Sequence, residues 1–275
     1  MKPADISSKA ALKQCCANLY ESDFAKLLLG DSFHPGGLKL TERFGQLLYL
    51  DRNSRVLDVA SGRGTSALFL AEVFGCEVVG LDFSQQNVQR ANIEADERSL
   101  SALIHFEQGD AESLSFPDGS FNAVICECAF CTFPDKSKAA SEFTRVLKPG
   151  GNVGISDLTR AAELPRELGG LLAWIACIAD AQPVEKYVDW LRTAGLRPHT
   201  TEAHDEALVK MIRQIQGKLF AAELMTGLQR IDLPGIDLTI AKQMAKAALK
   251  AIQNGQLGYA IITAQKPPRE AIGLT

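Results

Sequence analysis

The sequence predicts an α/β fold in which a mostly parallel sheet carries helices on both faces, and three observations lead there. Short apolar runs alternate with amphipathic stretches from residue 54 to residue 157. That alternation is the mark of βαβ units joined by right-handed crossovers. The first strand–helix junction is a glycine loop, "VASGRGTSA", as open α/β sheets often have where a ligand approaches the backbone. With 46% hydrophobic and 23% charged residues in 275, the chain can bury a large core.

Residues 5–30 carry apolar positions at helical spacing and end at Gly30, followed by a turn-rich "DSFHPGG" at 31–37 and an amphipathic helix over 38–50. Strands are expected at 54–60, 76–82, 103–110, 120–127 and 151–157, with helices at 65–75, 84–100 and 137–147. Beyond 158 the chain turns helical at 183–196, 205–227 and 237–254, and "LGYAIITAQK" (257–266) reads as a closing strand. The division is 1–37 as an N-terminal helical extension or lid, 38–160 as a Rossmann-like core, 161–266 as helices and final strands that complete a seven-stranded sheet and cap the site, and 267–275 as a tail.

A formal charge of −4 argues against a broad nucleic-acid surface. The longest apolar run, "LLAWIACIA" at 171–179, is too short to span a bilayer, and "MKPADISSKAALKQCC" has no secretory h-region. Seven cysteines, an odd number, suit a reducing compartment, so a cytoplasmic location is expected. The apolar positions of 205–254 would cap the site or pack against a second subunit as a homodimer.

In "VLDVASGRGTSALFLAE", Gly62 and Gly64 permit a tight turn at the electropositive start of a helix. The next strand ends in Asp82, placed to accept both hydroxyls of a ribose, and the third ends in Asp110, able to meet an adenine amino group. A nicotinamide dinucleotide competes as ligand. Asp58 argues against it: four residues before Gly62, it would repel a pyrophosphate and welcome a positively charged amino-acid end.

At this point the chain resembles the class I S-adenosylmethionine-dependent methyltransferases, and within them the group that includes ubiquinone-biosynthesis enzymes (methyltransferase type 11). "VLDVASGRG", "VVGLDFS", "GDAESLSFPDGSFNAV" and "FTRVLKPGGNVGISD" are similar to that family's motifs, in its order, across roughly 40–160. The resemblance implies that Asp58 and the Ala60, Ser61, Gly62 and Gly64 backbone hold the methionine portion of S-adenosyl-L-methionine. It implies Asp82 for the ribose, Phe83 flanking the adenine, and Asp110 with Ala111 on its polar edge. Ala60 and Ser61 stand where the family usually has glycine and cysteine. The implied activity is methyl transfer to a small-molecule acceptor by in-line displacement. A sensor that binds the cofactor without turnover is the alternative of a different class.

Cys126, Cys128 and Cys131 crowd the end of the fourth strand. As core residues they need no further reason, and by period two Cys126 and Cys128 would share a face. No metal site is expected: Cys128 and Cys131 form a single C-x-x-C pair, without the second pair a structural zinc wants. "VICECAFCTFPDK" is also similar to a segment of the arsenite methyltransferases, which implies trivalent arsenic held by Cys128 and Cys177 as thiolates. His34, in "SFHPGG", would serve as a general base, and Glu127, at the end of its strand, would contact cofactor or substrate.

Overall fold

The computed structural model describes residues 13–14, 34–168, 178, 180–227 and 237–268. Its strands are β1 (Arg55–Val59), β2 (Glu77–Asp82), β3 (Ile104–Gln108), β4 (Phe121–Glu127), β5 (Leu147–Arg160), β6 (Arg197–Ala203) and β7 (Leu257–Gln265). They form one sheet in the order β3-β2-β1-β4-β5-β7-β6. The pairs among β1 to β5 are parallel, and β7 runs antiparallel to both β5 and β6. Helices α1 (Leu38–Leu47), α2 (Thr65–Phe74), α3 (Gln85–Glu97), α4 (Lys136–Val146), α5 (Val184–Thr193), α6 (Asp205–Gly227) and α7 (Leu238–Gln253) accompany it. The expected seven-stranded, mostly parallel Rossmann-like sheet is the one found.

The apolar runs become strands because both faces of the sheet are covered. Val56, Leu57 and Val59 in β1 and Ala123, Val124, Ile125 and Cys126 in β4 have no exposed surface, as in parallel sheets whose strands read as near-continuous Val, Ile and Leu. One strand differs from expectation. The seventh, β6, is "RPHTTEA", at the sheet's edge, alternating exposed and half-buried residues; its polar composition carries no strand signal, because an edge strand facing water needs little apolar surface. β5 is also longer than the expected 151–157, running from Leu147 to Arg160 along nine paired residues of β7.

Two details of the packing build the site. β1 and β4 are neighbours, and the chain winds outward from them in opposite directions, so a crevice opens at their carboxyl ends. Helix α1 reaches that crevice because the Phe44 ring packs against Gly154 of β5, where a Cβ would stand only 2.3 Å from the ring. Thr41 precedes Phe44 by three residues, so it faces the same way, fully buried, and is carried over the end of β4. Of the helix expected over 5–30, Lys13 and Gln14 are the described residues; Cys177 and Trp174 lie outside the described residues. No helix among the described residues is long and apolar enough to cross a membrane.

Candidate active site

The glycine loop after β1 alternates backbone handedness. Ala60 (φ 59°), Gly62 (φ 55°) and Gly64 (φ 80°) all occupy the left-handed region. Ala60 does so without being glycine, which accounts for glycine being usual there in the resembling motif. Ser61 N–H donates to the Leu81 carbonyl at 3.0 Å and Gly64 N–H to the Ser61 carbonyl at 2.9 Å, while Gly62 N–H donates to Asp82 Oδ2 at 2.8 Å. The other Asp82 oxygen accepts from Ser84 N–H at 2.9 Å, and Ser84 caps α3 by accepting from Asn87 N–H. Asp82, expected to meet a ribose, therefore also clamps the loop to the start of α3.

A cleft of about 900 Å³, mouth included, opens at these strand ends. Eight expected residues line it: Ala60, Gly62, Asp82, Phe83, Asp110, Ala111, Glu127 and Cys128, together with Thr132 and Phe133 among others. Asp58, Ser61, Gly64 and His34 stand behind that lining.

The electrostatics are acidic. Asp58 is 2% exposed, and its Oδ2 has no hydrogen-bond partner among the described residues. Burial, then the neighbouring Glu127 and Asp82, push its carboxyl well above the usual carboxylate range. Asp110 holds Lys13, whose Nζ lies 2.8 Å from each Asp110 oxygen and 2.9 Å from Glu112 Oε2. Burial would lower the Lys13 ammonium's pKa, but its bonds to Asp110 and Glu112 outweigh that and raise it. Lys13, itself part of the cleft wall, was not evident in the sequence, where one lysine in a polar N-terminal stretch has no distinguishing neighbour.

His34 and Glu127, considered separately in the sequence, come together. His34 Nε2 lies 3.6 Å from Glu127 Oε2, and Thr41 Oγ1 donates to that carboxylate at 3.2 Å. His34 is 7% exposed and reaches the cleft through Glu127 rather than directly.

The cysteines separate. Cys126 and Cys131 are fully buried in the core, and Cys131 N–H donates to buried Asp157 at 2.7 Å. Burial pushes the Cys76 thiol up to about 11. Cys128 is partly exposed in the cleft, with its backbone in the left-handed region (φ 53°) and its N–H on the Ser156 carbonyl at 2.6 Å. The strand's period of two ends at Glu127, so Cys128 does not share the face of Cys126 as the alternation suggested. No group of three or more His, Cys, Asp and Glu among the described residues is arranged to hold a metal ion.

Arg145 of α4 braces the segment after Asp110. Its guanidinium donates to the carbonyls of Leu114 (2.9 Å) and Phe116 (2.7 Å) and to Glu142, which in turn accepts from Leu114 N–H. Arg145→Ala should cost about 2 kcal/mol in urea denaturation and speed amide exchange at 114–118, because two buried-side carbonyls lose their donors. Arg145→Lys should recover little of this, lacking the fork that reaches both carbonyls.

The residues present fit an S-adenosylmethionine: an orphaned buried carboxylate for an ammonium, acids at three strand ends, and aromatic Phe83 and Phe133 beside them for a planar base. The comparisons agree. A family model described as a methyltransferase domain matches residues 50–195, over half of the chain. The 27-O-demethylrifamycin SV methyltransferase of Amycolatopsis mediterranei is 29% identical over 272 residues, covering 90% of this chain and 94% of that protein. Two solved structures share the fold. The [4+2]-cyclase SpnF has a TM-score of 0.76 at 24% identity, over 95% of this chain and 97% of that one. Phosphoethanolamine N-methyltransferase 2 of Haemonchus contortus, in complex with S-adenosyl-L-methionine, has a TM-score of 0.76 at 20% identity, over 96% of this chain and 61% of that one. The chain belongs to the methyltransferase-domain family and is a class I S-adenosylmethionine-dependent methyltransferase.

Proposed function

We propose that this enzyme methylates a small organic molecule, with Asp58, the Ala60–Gly64 loop, Asp82, Phe83, Asp110 and Ala111 holding the cofactor. The observation that carries this reading is Asp58, a buried carboxylate with an unpartnered oxygen in the strand that runs into the glycine loop. A buried acid is costly unless a cation answers it, and an amino-acid ammonium is such a cation. When bound, S-adenosylmethionine supplies an electrophilic methyl on a positively charged sulfur. The chain's own part is positional: the left-handed turns fix the loop, Asp82 ties it to α3, and Arg145 holds the segment beyond Asp110, so that acceptor and methyl meet in line. A relative matched along 94% of its length is named for a rifamycin acceptor, which favours an organic molecule.

Trivalent arsenic held by Cys128 and Cys177 is a second reading, favoured by one observation, the partly exposed Cys128 thiol in the cleft wall. The reduced protein, given methyl-labelled cofactor with phenols, amines or arsenite in turn, separates the cases by S-adenosylhomocysteine formed. Turnover with an organic acceptor that survives Cys128→Ser supports the main reading. Arsenite-dependent turnover lost in Cys128→Ser replaces it with the second, and tight cofactor binding without turnover on any acceptor supports a sensor.

A further inference from the structure

Glu127 is built more elaborately than a strand-end carboxylate requires. Four elements contribute to its surroundings: the loop at His34, α1 through Thr41, α2 through Ser66 and β4 itself. His34 Nδ1 lies 3.2 Å from the Pro35 carbonyl, which can only accept, so the ring's proton belongs there and Nε2 is left to accept. Nε2 lies 3.4 Å from both the Ser66 and Thr41 hydroxyls, and the single Thr41 proton goes to Glu127, 3.2 Å from each oxygen. The carboxylate is thereby held by the Thr41 hydroxyl, 5% exposed along its side chain, and Glu127 lines the cleft together with Gly62 and Cys128.

On the adjoining strand stands Asp58, opposite Ile125 of β4 in register. Two acids on neighbouring strand ends, one orphaned and one clamped, make a site that positive charge would answer. The cofactor of this family carries two positive centres, an ammonium and a sulfonium. Its demethylated product keeps the ammonium and loses the sulfonium charge, because the electron pair of the broken carbon–sulfur bond stays on sulfur. The two carboxylates differ in position: Asp58 lies behind the glycine loop, and Glu127 faces the cleft beside Cys128 and Ala129.

We propose that Glu127, oriented by Thr41, is the carboxylate that answers the sulfonium, and that it gives the site its preference for charged cofactor over neutral product. The proposal rests on the cofactor reading above. It makes Thr41 a positioning residue, and it gives product release a cause: the attraction to Glu127 disappears as the methyl leaves.

Calorimetric titration with three ligands tests it: S-adenosylmethionine, S-adenosylhomocysteine, and sinefungin, which has a protonated amine where the sulfonium would be. Wild-type protein should bind the two charged ligands about tenfold or more tighter than the neutral one. Glu127→Gln should remove that preference while leaving S-adenosylhomocysteine within about twofold. Thr41→Val should erode it in part, with Thr41→Ser restoring it. Asp58→Asn should weaken all three ligands alike, because all keep the ammonium. Equal binding of charged and neutral ligands by the wild-type protein overturns the proposal without needing any variant to fold. So does an equal loss, or no loss, of both classes in Glu127→Gln. Failure of wild-type protein to bind any of the three sinks the cofactor reading itself.

Discussion

Asparagine in place of Asp58 should give a protein that melts higher yet binds its cofactor worse. The folded structure raises the Asp58 pKa, through burial first and then through Glu127 and Asp82. Below the ordinary carboxylate value of about 3.9 the side chain is protonated in both states and folding is not penalised. As pH rises from there to the raised folded value, the unfolded chain releases the proton and the folded chain holds it, so stability falls across that window. Neutral pH therefore carries part of the penalty, and Asp58→Asn, which has no charge to bury, should gain on the order of 1 kcal/mol in urea denaturation near pH 7. The gain should vanish below about pH 4, where aspartate and asparagine are both neutral. Cofactor affinity should fall about 10- to 100-fold, the value of a charged hydrogen bond to a buried carboxylate. Binding to the wild-type protein should also release a proton, because the ammonium draws Asp58 into its ionised form; calorimetry in two buffers of different ionisation enthalpy reads this directly. Equal stability of Asp58→Asn and wild type at both pH values would mean that the carboxyl is not strained in the free enzyme.

Much of this site was legible along the chain, and what was hidden shares one property. Asp82 and Asp110 could be found because each follows a strand's run of residues, and Asp58 because it stands four residues before Gly62; strand ends in an open parallel sheet converge at one crevice. The loop could be found because Gly62 and Gly64 fall between strand and helix. Topology gathers such residues with no help from side-chain contacts. Thr41, Ser66, Lys13 and Arg145 could not be found that way, since each matters through a partner remote in sequence: Thr41 through Glu127, 86 positions later, and Lys13 through Asp110, 97 positions later. Their placement depends on Phe44 resting on a glycine of β5 and on Arg145 reaching across to Leu114, and neither contact leaves a pattern in local spacing. Strand β6 was hidden for the opposite reason: it needs so little apolar surface at the edge that its sequence looks like a loop. Alternation places Cys128 on the strand because nothing in "CECAFC" announces the turn to positive φ that ends it.

Gly64→Ala should be among the most damaging single methyl groups that can be added to this protein, and a second substitution should show why. Gly64 is the N-cap of α2 with φ 80°, and a Cβ there would lie 2.5 Å from Cζ of Phe106 and 3.1 Å from Cβ of Ala91. Two costs are mixed in that position. Left-handed backbone costs alanine roughly 1–2 kcal/mol. Overpacking against the ring costs about 1–3 kcal/mol more, so the variant should lose about 2–5 kcal/mol in all. The ring cannot retreat the other way, because a Cβ on Gly80 of β2 would stand 2.1 Å from it. Phe106 is wedged between two glycines, and through them it sets the height of the loop above the sheet. Phe106→Leu alone should cost about 1 kcal/mol or slightly more. In the double variant the overpacking share should vanish while the backbone share remains, leaving a coupling of about 1–3 kcal/mol in a double-mutant cycle. Cofactor affinity should follow the same pattern, lost in Gly64→Ala and partly recovered on adding Phe106→Leu, because a loop pushed off Phe106 also moves the Gly62 amide off Asp82. Strict additivity would mean that backbone strain alone makes Gly64 glycine. In that case Ala60, which holds positive φ in the same loop without being glycine, would be the better guide to what this loop tolerates.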